Sequence, residues 1–309
     1  MTKTAFLFSG QGTQKLGMAR DLYDQYETVK ATFDEASQAL GYDLRALIDN
    51  DEEKLNETKY TQPAILTTSV AILRLLSENG IKPDLVAGLS LGEYSALVAS
   101  GIIDFQEAVK LVAKRGQYMT EAAPTGSGKM VAVMNTDPAL IEEICQKAAE
   151  FKGGIVSPAN YNTPAQIVIG GEVEAVDYAV ELLKEAGVRK LIELKVSGPF
   201  HTAILKPASE KLALELDKID FRPFELPLIS NTSAKVMEND EVKGLLTRQV
   251  MEPVRFYESV ETMQKLGANS RLLKLDPGRV LSGFIKKIDK NAEIANVENL
   301  ASFEALINQ

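Results

Sequence analysis

Between Leu85 and Ser100 the chain changes its hydrophobic period. Leu85-Val86-Ala87 is a short apolar run of the kind that forms a buried strand, Leu91 to Ser100 is spaced like a helix, and Gly88-Leu89-Ser90-Leu91-Gly92 joins the two. So short a join forces a sharp turn, and a sharp turn needs residues without Cβ on both sides of Ser90. A strand that passes directly into a helix builds a mostly parallel sheet flanked by helices, which restricts the chain to the α/β class.

The same alternation recurs elsewhere. Thr4 to Ser9 reads as a strand ending in Gly10-Gln11-Gly12, with helical spacing onward through Ala39. Pro63 to Asn79 reads as a helix, and Asp104 stands at the N-cap of another that runs to about Ala122, before the breaker cluster Pro124-Thr125-Gly126-Ser127-Gly128. There the order changes. Met130 to Met134 reads as strand, Pro138 to Glu150 as helix, Ile155 to Ala159 and Gln166 to Ile169 as strands, Val173 to Ala186 as helix and Lys190 to Val196 as strand. This is the split ferredoxin-like order.

Gly198-Pro199 closes that segment as the glycine-rich cluster opens it. Residues 128–197 are therefore expected to form a ferredoxin-like domain, inserted at one hinge into an α/β-hydrolase-like catalytic domain made of residues 1–127 and 198–309. Further on, Pro207 to Leu216, Val242 to Val250 and Phe256 to Leu266 are helical in spacing, while Leu228-Ile229-Ser230 and Arg271 to Leu275 read as strands. Pro277-Gly278 then turns the chain into a helix through Ile288.

The G-x-S-x-G pattern in a strand–turn–helix setting leaves the serine hydroxyl exposed beside a helix amino terminus. A hydroxyl is a poor nucleophile at neutral pH and needs a base, and the sequence contains one histidine, His201, at the second linker. The other ring nitrogen needs an orienting partner; no acidic residue stands out by spacing, so a backbone or amide oxygen is an alternative. An acyl oxygen turning negative needs N–H donors. Leu91, next after the serine, supplies the first, and the loop Gly10-Gln11-Gly12-Thr13-Gln14 is placed to supply a second. That loop is not a nucleotide fingerprint, because Lys15 stands at the third glycine position, and Gly128-Lys129 lacks the rest of a phosphate loop. Arg115, in Ala113-Lys114-Arg115-Gly116-Gln117, is either part of a solvated face or a bidentate clamp for a carboxylate. Pattern alone leaves both open.

Composition removes several classes. With 43 acidic against 34 basic residues the net charge is −9, which argues against broad nucleic-acid binding. Cys145 is the only cysteine, so an intramolecular disulfide and a cysteine-rich zinc site are excluded, and with one histidine a catalytic metal is not expected. Ala5 to Phe8 is too short for a signal-peptide core, and Glu93 interrupts the apolar stretch from Val86 to Ile103. Neither export nor membrane association is expected, and a cytoplasmic location fits.

Seven stretches together carry a resemblance: Phe8-Ser9-Gly10-Gln11-Gly12-Thr13-Gln14, Tyr60-Thr61-Gln62-Pro63-Ala64, Gly88-Leu89-Ser90-Leu91-Gly92-Glu93-Tyr94, Lys114-Arg115-Gly116, Pro158-Ala159-Asn160-Tyr161-Asn162, Gly198-Pro199-Phe200-His201-Thr202 and Thr247-Arg248-Gln249-Val250-Met251-Glu252-Pro253-Val254. At these residues the chain closely resembles, nearly end to end, the malonyl-coenzyme A:acyl carrier protein transacylases of type II fatty-acid synthesis. The resemblance implies Ser90 as nucleophile, His201 as base, and Gln11 with the Leu91 N–H as oxyanion hole. It also implies Arg115, Phe200 and Asn160 as substrate contacts, Arg115 on the malonyl carboxylate, and the Gln249 main-chain carbonyl against His201. Phe200 resembles the malonyl-type signature, whose bulky ring leaves little room for an α-methyl branch. The implied partners are malonyl-CoA and the phosphopantetheine thiol of acyl carrier protein. No cofactor is expected, and a monomer is.

The chain departs from the family pattern at Leu89, where histidine is frequent, and at Leu273-Lys274-Leu275-Asp276-Pro277-Gly278, where Glu-Ile-Gly-Pro-Gly is usual. If that glycine has positive φ, Asp276 is expected to be strained. A serine esterase or thioesterase shares the elbow but normally places its histidine late, after an acid. A non-catalytic binder of carrier or coenzyme A is the rival from another class. Lys286, Lys287 and Lys290 could meet coenzyme A phosphates or the acidic carrier, or form a solvated face.

Overall fold

The computed structural model describes residues 3–268 and 271–308. Its strands are β1 (Thr4–Phe8), β2 (Leu85–Gly88), β3 (Lys129–Met134), β4 (Val156–Thr163), β5 (Gln166–Gly171), β6 (Leu191–Glu193), β7 (Leu228–Ile229), β8 (Arg271–Leu275) and β9 (Ile294–Val297). They form two sheets. The larger is parallel throughout, in the order β7-β2-β1-β8-β9, with Ala5 opposite Leu85 on one side and Leu272 on the other. β1 lies at its centre and is buried along its whole length, as expected of a strand covered on both faces. Phe6 and Phe8 pack with Leu22, Phe33, Ile65 and Leu66, while Ala5 and Leu7 point the other way into Phe256, Val260, Leu281 and Ile285.

The smaller sheet, β4-β5-β3-β6, is antiparallel and keeps the strand–helix–strand–strand–helix–strand order. Val131 and Val133 face its two helices, Pro138–Lys152 and Val173–Glu185, where they meet Ile141, Ile144, Val176 and Leu183. Met130, Ala132 and Val168 take the opposite face, and Met130 and Val168 look across a cleft toward the large sheet.

Several elements differ from the sequence reading. The helix read from Pro63 begins at Thr58 and carries Pro63 inside it. Its first turns carry buried polar residues, since Thr61 Oγ1 donates to the Leu55 carbonyl at 2.6 Å and Gln62 Oε1 accepts from Arg115 at 2.9 Å, so hydrophobic spacing does not register them. The strand read over Lys190 to Val196 shrinks to three residues, since β6 is a sheet edge that pairs only with Val131–Val133. Asp104 sits at the N-cap position of the helix Phe105–Ala122, but its carboxylate makes no cap bond and accepts from Arg222 at 2.9 Å instead. Asp276 is not among the residues with positive φ, so the expected strain is absent. β9 and the helix Leu300–Ile307 had no matching expectation.

Candidate active site

Ser90 sits between β2 and the helix Leu91–Ala99 at φ 54° and ψ −108°. Such a backbone costs on the order of 1–3 kcal/mol and persists only where its surroundings over-determine it. Here they do. The Ser90 N–H donates to Asn231 Oδ1 at 2.6 Å, and the Ser90 carbonyl accepts from Gln249 Nε2 at 2.8 Å. Close packing adds to this: a Cβ on Gly88 would lie 2.0 Å from the Gly92 carbonyl carbon, and one on Gly92 would lie 2.0 Å from the Phe8 oxygen. The elbow thus touches both its own helix and the end of β1.

His201 follows Phe200 and also has a left-handed backbone, φ 60°. Its Nε2 lies 2.8 Å from Ser90 Oγ and its Nδ1 lies 2.8 Å from the Gln249 main-chain oxygen. A carbonyl can only accept, so Nδ1 carries the proton and Nε2 is left to accept from the serine. Burial, followed by the positive charge of Arg115, lowers the imidazole to about 4. The ring is therefore neutral at neutral pH, the form a general base requires.

Arg115 projects from the helix Phe105–Ala122 and is 1% exposed, which removes the solvated-face reading. Its Nη1 donates to Gln62 Oε1 at 2.9 Å, and its Nη2 donates to Gln249 Oε1 at 3.0 Å and to Ser90 Oγ at 3.2 Å. The guanidinium lies over the Tyr94 ring at 5.2 Å. Its Nε–H has no partner, and among the described residues no carboxylate lies within ion-pair distance. The nearest acid in the network is Glu93, which accepts from Gln249 Nε2 at 2.6 Å and from the Asn231 N–H at 3.0 Å. Burial pushes Glu93 up to about 7, against the pull of those donors. A buried cation without a counter-ion beside a serine hydroxyl has the chemistry to receive an anionic group.

The cleft above these residues has a volume of about 280 Å³. Ser9 to Thr13, Ser90 and His201 line one side, Met130, Val168 and Leu194 the other, and Val280 and Phe284 the rim. Gln11 lies at its edge, its side-chain Nε2 donating to Thr58 Oγ1 at 3.1 Å. Leu91 is the first residue of its helix, where an N–H has no intrahelical acceptor. Phe200 lines this cleft and a neighbouring groove beside Thr58 and Ser197. Asn160 is half-buried on the far wall, its backbone bridged to Val254.

An acyl transferase domain profile matches residues 5–272. The chain is 45% identical over 309 residues to the malonyl CoA-acyl carrier protein transacylase of Bacillus subtilis, covering 99% of this chain and 97% of that one. The Escherichia coli K12 enzyme of the same name is 47% identical over 93% of each chain. This chain belongs to the malonyl CoA-acyl carrier protein transacylase family. Among solved transacylases, the one from Streptococcus pneumoniae superposes with a TM-score of 0.97 at 65% identity over 99% of both chains. A malonyl-transacylase in complex with a type II PKS acyl carrier protein superposes at 0.94, with 44% identity over 99% of both chains.

Ser90, His201, Arg115 and the Gln249 carbonyl meet in one hydrogen-bonded group of this transacylase, with Gln11, Phe200 and Asn160 around the same cleft. Sequence reasoning gave no role to Asn231, Glu93 or Gln62. Asn231 bonds to Ser90, Gly88 and Glu93 together. One signal pointed to it: a polar residue just beyond the carboxyl end of the buried strand Leu228–Ile229, the edge where α/β sheets gather their ligands. Of the three lysines, Lys290 lies beyond the helix Val280–Ile288, and Lys286 Nζ donates to the Ala292 carbonyl at 2.6 Å. No helix among the described residues is long and apolar enough to cross a membrane.

Proposed function

We propose that this chain transfers a malonyl group from malonyl-CoA to the phosphopantetheine thiol of acyl carrier protein, in fatty-acid synthesis, through an ester on Ser90. The observation that carries this reading is a serine hydroxyl within hydrogen-bond reach of both a neutral imidazole, at 2.8 Å, and a buried guanidinium without a counter-ion, at 3.2 Å. The first makes a nucleophile. The second selects an acyl group that ends in a carboxylate.

His201 Nε2 takes the Ser90 proton as Oγ attacks the thioester carbon. The oxygen that becomes negative turns toward the N–H groups of Leu91 and Gln11. The C–S bond breaks, the coenzyme A thiolate takes the proton from His201, and malonyl remains on Ser90 as an ester. In the second half, His201 takes the proton of the carrier thiol, sulfur attacks the ester, and the Ser90 alkoxide recovers that proton. Arg115 holds the malonyl carboxylate through its unpartnered Nε–H and an Nη, which fixes the acyl chain and denies water a productive approach. Phe200 narrows the space beside the α-carbon, and Asn160 contacts the substrate from the opposite wall. The chemistry calls for no cofactor, and the location is cytoplasmic. We read residues 1–127 and 198–309 as the catalytic domain and 128–197 as the inserted one; the separate sheets support this division.

The test is intact mass after incubation with malonyl-CoA, then again after adding acyl carrier protein. A malonyl adduct that persists and then moves to the carrier supports transfer. Free malonate would make the protein a hydrolase, and no covalent change would make it a binder. A stable adduct on Ser90→Ala would overturn the assignment of the nucleophile.

A further inference from the structure

Below the loop that begins at Ser9, the core of the large sheet contains a lysine and an aspartate. Lys274 lies in β8 beside Leu7, and Asp276 follows the end of that strand as Ser9 follows the end of β1. Both side chains are fully buried. Lys274 Nζ lies 2.5 Å from Asp276 Oδ1 and donates to the main-chain oxygens of Asp276 at 2.6 Å and Pro277 at 3.1 Å. The ammonium thus gives two protons to main-chain oxygens and meets the carboxylate as an ion pair. The other carboxylate oxygen, Asp276 Oδ2, accepts from the Ser9 N–H at 2.5 Å.

That last bond reaches the chemistry. Ser9 is buried, and Gly10 and Gln11, which follow it, line the same cleft as Ser90. The space on the elbow side is already full, since a Cβ on Gly10 would lie 2.6 Å from the Leu89 oxygen and one on Gly92 would lie 2.9 Å from the Ser9 oxygen. The elbow presses on the loop from one side, and Asp276 holds it from the other. A buried ion pair is itself weak evidence of a stability role, because neutral residues of similar shape often replace one at little cost. What neutral apolar residues do not supply is an acceptor for the Ser9 N–H.

We infer that Asp276, neutralised by Lys274, is a positioning residue for acyl transfer: through the Ser9 N–H it sets the Gln11 N–H at the distance an oxyanion requires. The inference rests on the reading of Gln11 as an oxyanion donor. Asp276 acts through the loop and does not touch the substrate.

Two neutral double variants isolate the bond. Lys274→Met with Asp276→Asn keeps an amide oxygen for Ser9, while Lys274→Met with Asp276→Ala removes the acceptor at the same net charge. In single-turnover acylation by malonyl-CoA, the alanine pair should be slower than the asparagine pair by about 10- to 100-fold, the scale of a misplaced oxyanion donor. The KM of the two should agree within about 2-fold, because the effect belongs to the transition state. Equal acylation rates in the two pairs, or a difference confined to KM, overturns the inference.

Gln11→Pro, which deletes the Gln11 N–H, is run beside them. If it acylates at the parent rate, the oxyanion reading fails and the inference with it. If it is slowed about 100-fold while the two pairs are equal, only the role of Asp276 fails. Should a double variant not fold, amide exchange in the parent chain still decides. The Ser9 amide should be protected like the strand amides of β1, and exchange as fast as in an open loop overturns the inference.

Discussion

The two walls of the cleft are built on opposite terms. On the large-sheet side, Ser90, His201, Arg115, Gln249, Glu93 and Asn231 form one continuous set of hydrogen bonds, and two of these residues have left-handed backbones. The small-sheet side presents Met130, Val168 and Leu194, with Asn160 as a half-buried polar group that makes no side-chain hydrogen bond among the described residues. The first wall is rigid because each polar group needs its partner. The second offers shape and little else. Under the proposed mechanism the chemistry belongs to one sheet, and the other decides what fits against it.

This contrast can be broken from the rigid side first. Ser90→Ala should end formation of the malonyl adduct, and His201→Ala should slow acylation by at least about 1000-fold, as for removal of a base from a serine–histidine pair. Rapid-quench kinetics checks both, and a small effect at His201 would remove the base from the scheme. Arg115→Ala should lower the preference for malonyl-CoA over acetyl-CoA by about 100-fold or more, because the buried site loses the guanidinium that matches a carboxylate. Competition between the two thioesters measures it.

The pH dependence sharpens the same contrast. His201 must be neutral to act and is lowered to about 4, so kcat/KM for acylation should stay level as pH falls through 6.5 and drop only near 4. Arg115 contributes to that lowering, so a bound malonyl carboxylate should move the limb seen in kcat to higher pH. A kcat/KM limb at 6.5 would mean that the imidazole is far better solvated than its burial indicates.

Smaller effects belong to the other wall. Phe200→Ala should improve methylmalonyl relative to malonyl by about 10-fold, the scale of one methyl group in an apolar pocket. Val168→Ala should change kcat by less than about 3-fold while raising KM modestly, since it removes only contact surface. A large kcat loss there would make the small sheet a participant in the chemistry.

Much of this site was legible in the sequence because its residues announce themselves. A lone histidine is a rare type and a G-x-S-x-G serine stands in a constrained place, and His201 had no competitor for its role. Short apolar runs also revealed the central strands of both sheets, since β1 and β3 are mostly apolar and each packs into two cores, while β9 carried no such signal. What escaped was polar and buried. Thr58 to Gln62 lie in a helix but lack its apolar stripe, and Asn231 and Glu93 act by bonding to residues far away in the chain. The Arg115 alternatives could not be separated either, because a guanidinium reads alike whether the helix face beneath it is wet or dry. Asp276 read as a source of strain and Lys274 as a departure with no role, yet the two pair with each other and reach Ser9.

The acceptor that orients His201 is a peptide oxygen at the end of the helix Val242–Gln249, and it carries only a fraction of a charge. An imidazole anchored in this way is a feebler proton acceptor than one backed by a carboxylate. The first leaving group, a thiolate, departs with little protonation, whereas the second, the Ser90 alkoxide, needs a proton, and the imidazolium of a feeble base is the stronger acid to supply it. Because no side chain supplies that oxygen, no single substitution deletes it, and the orientation of the imidazole is written into the main chain.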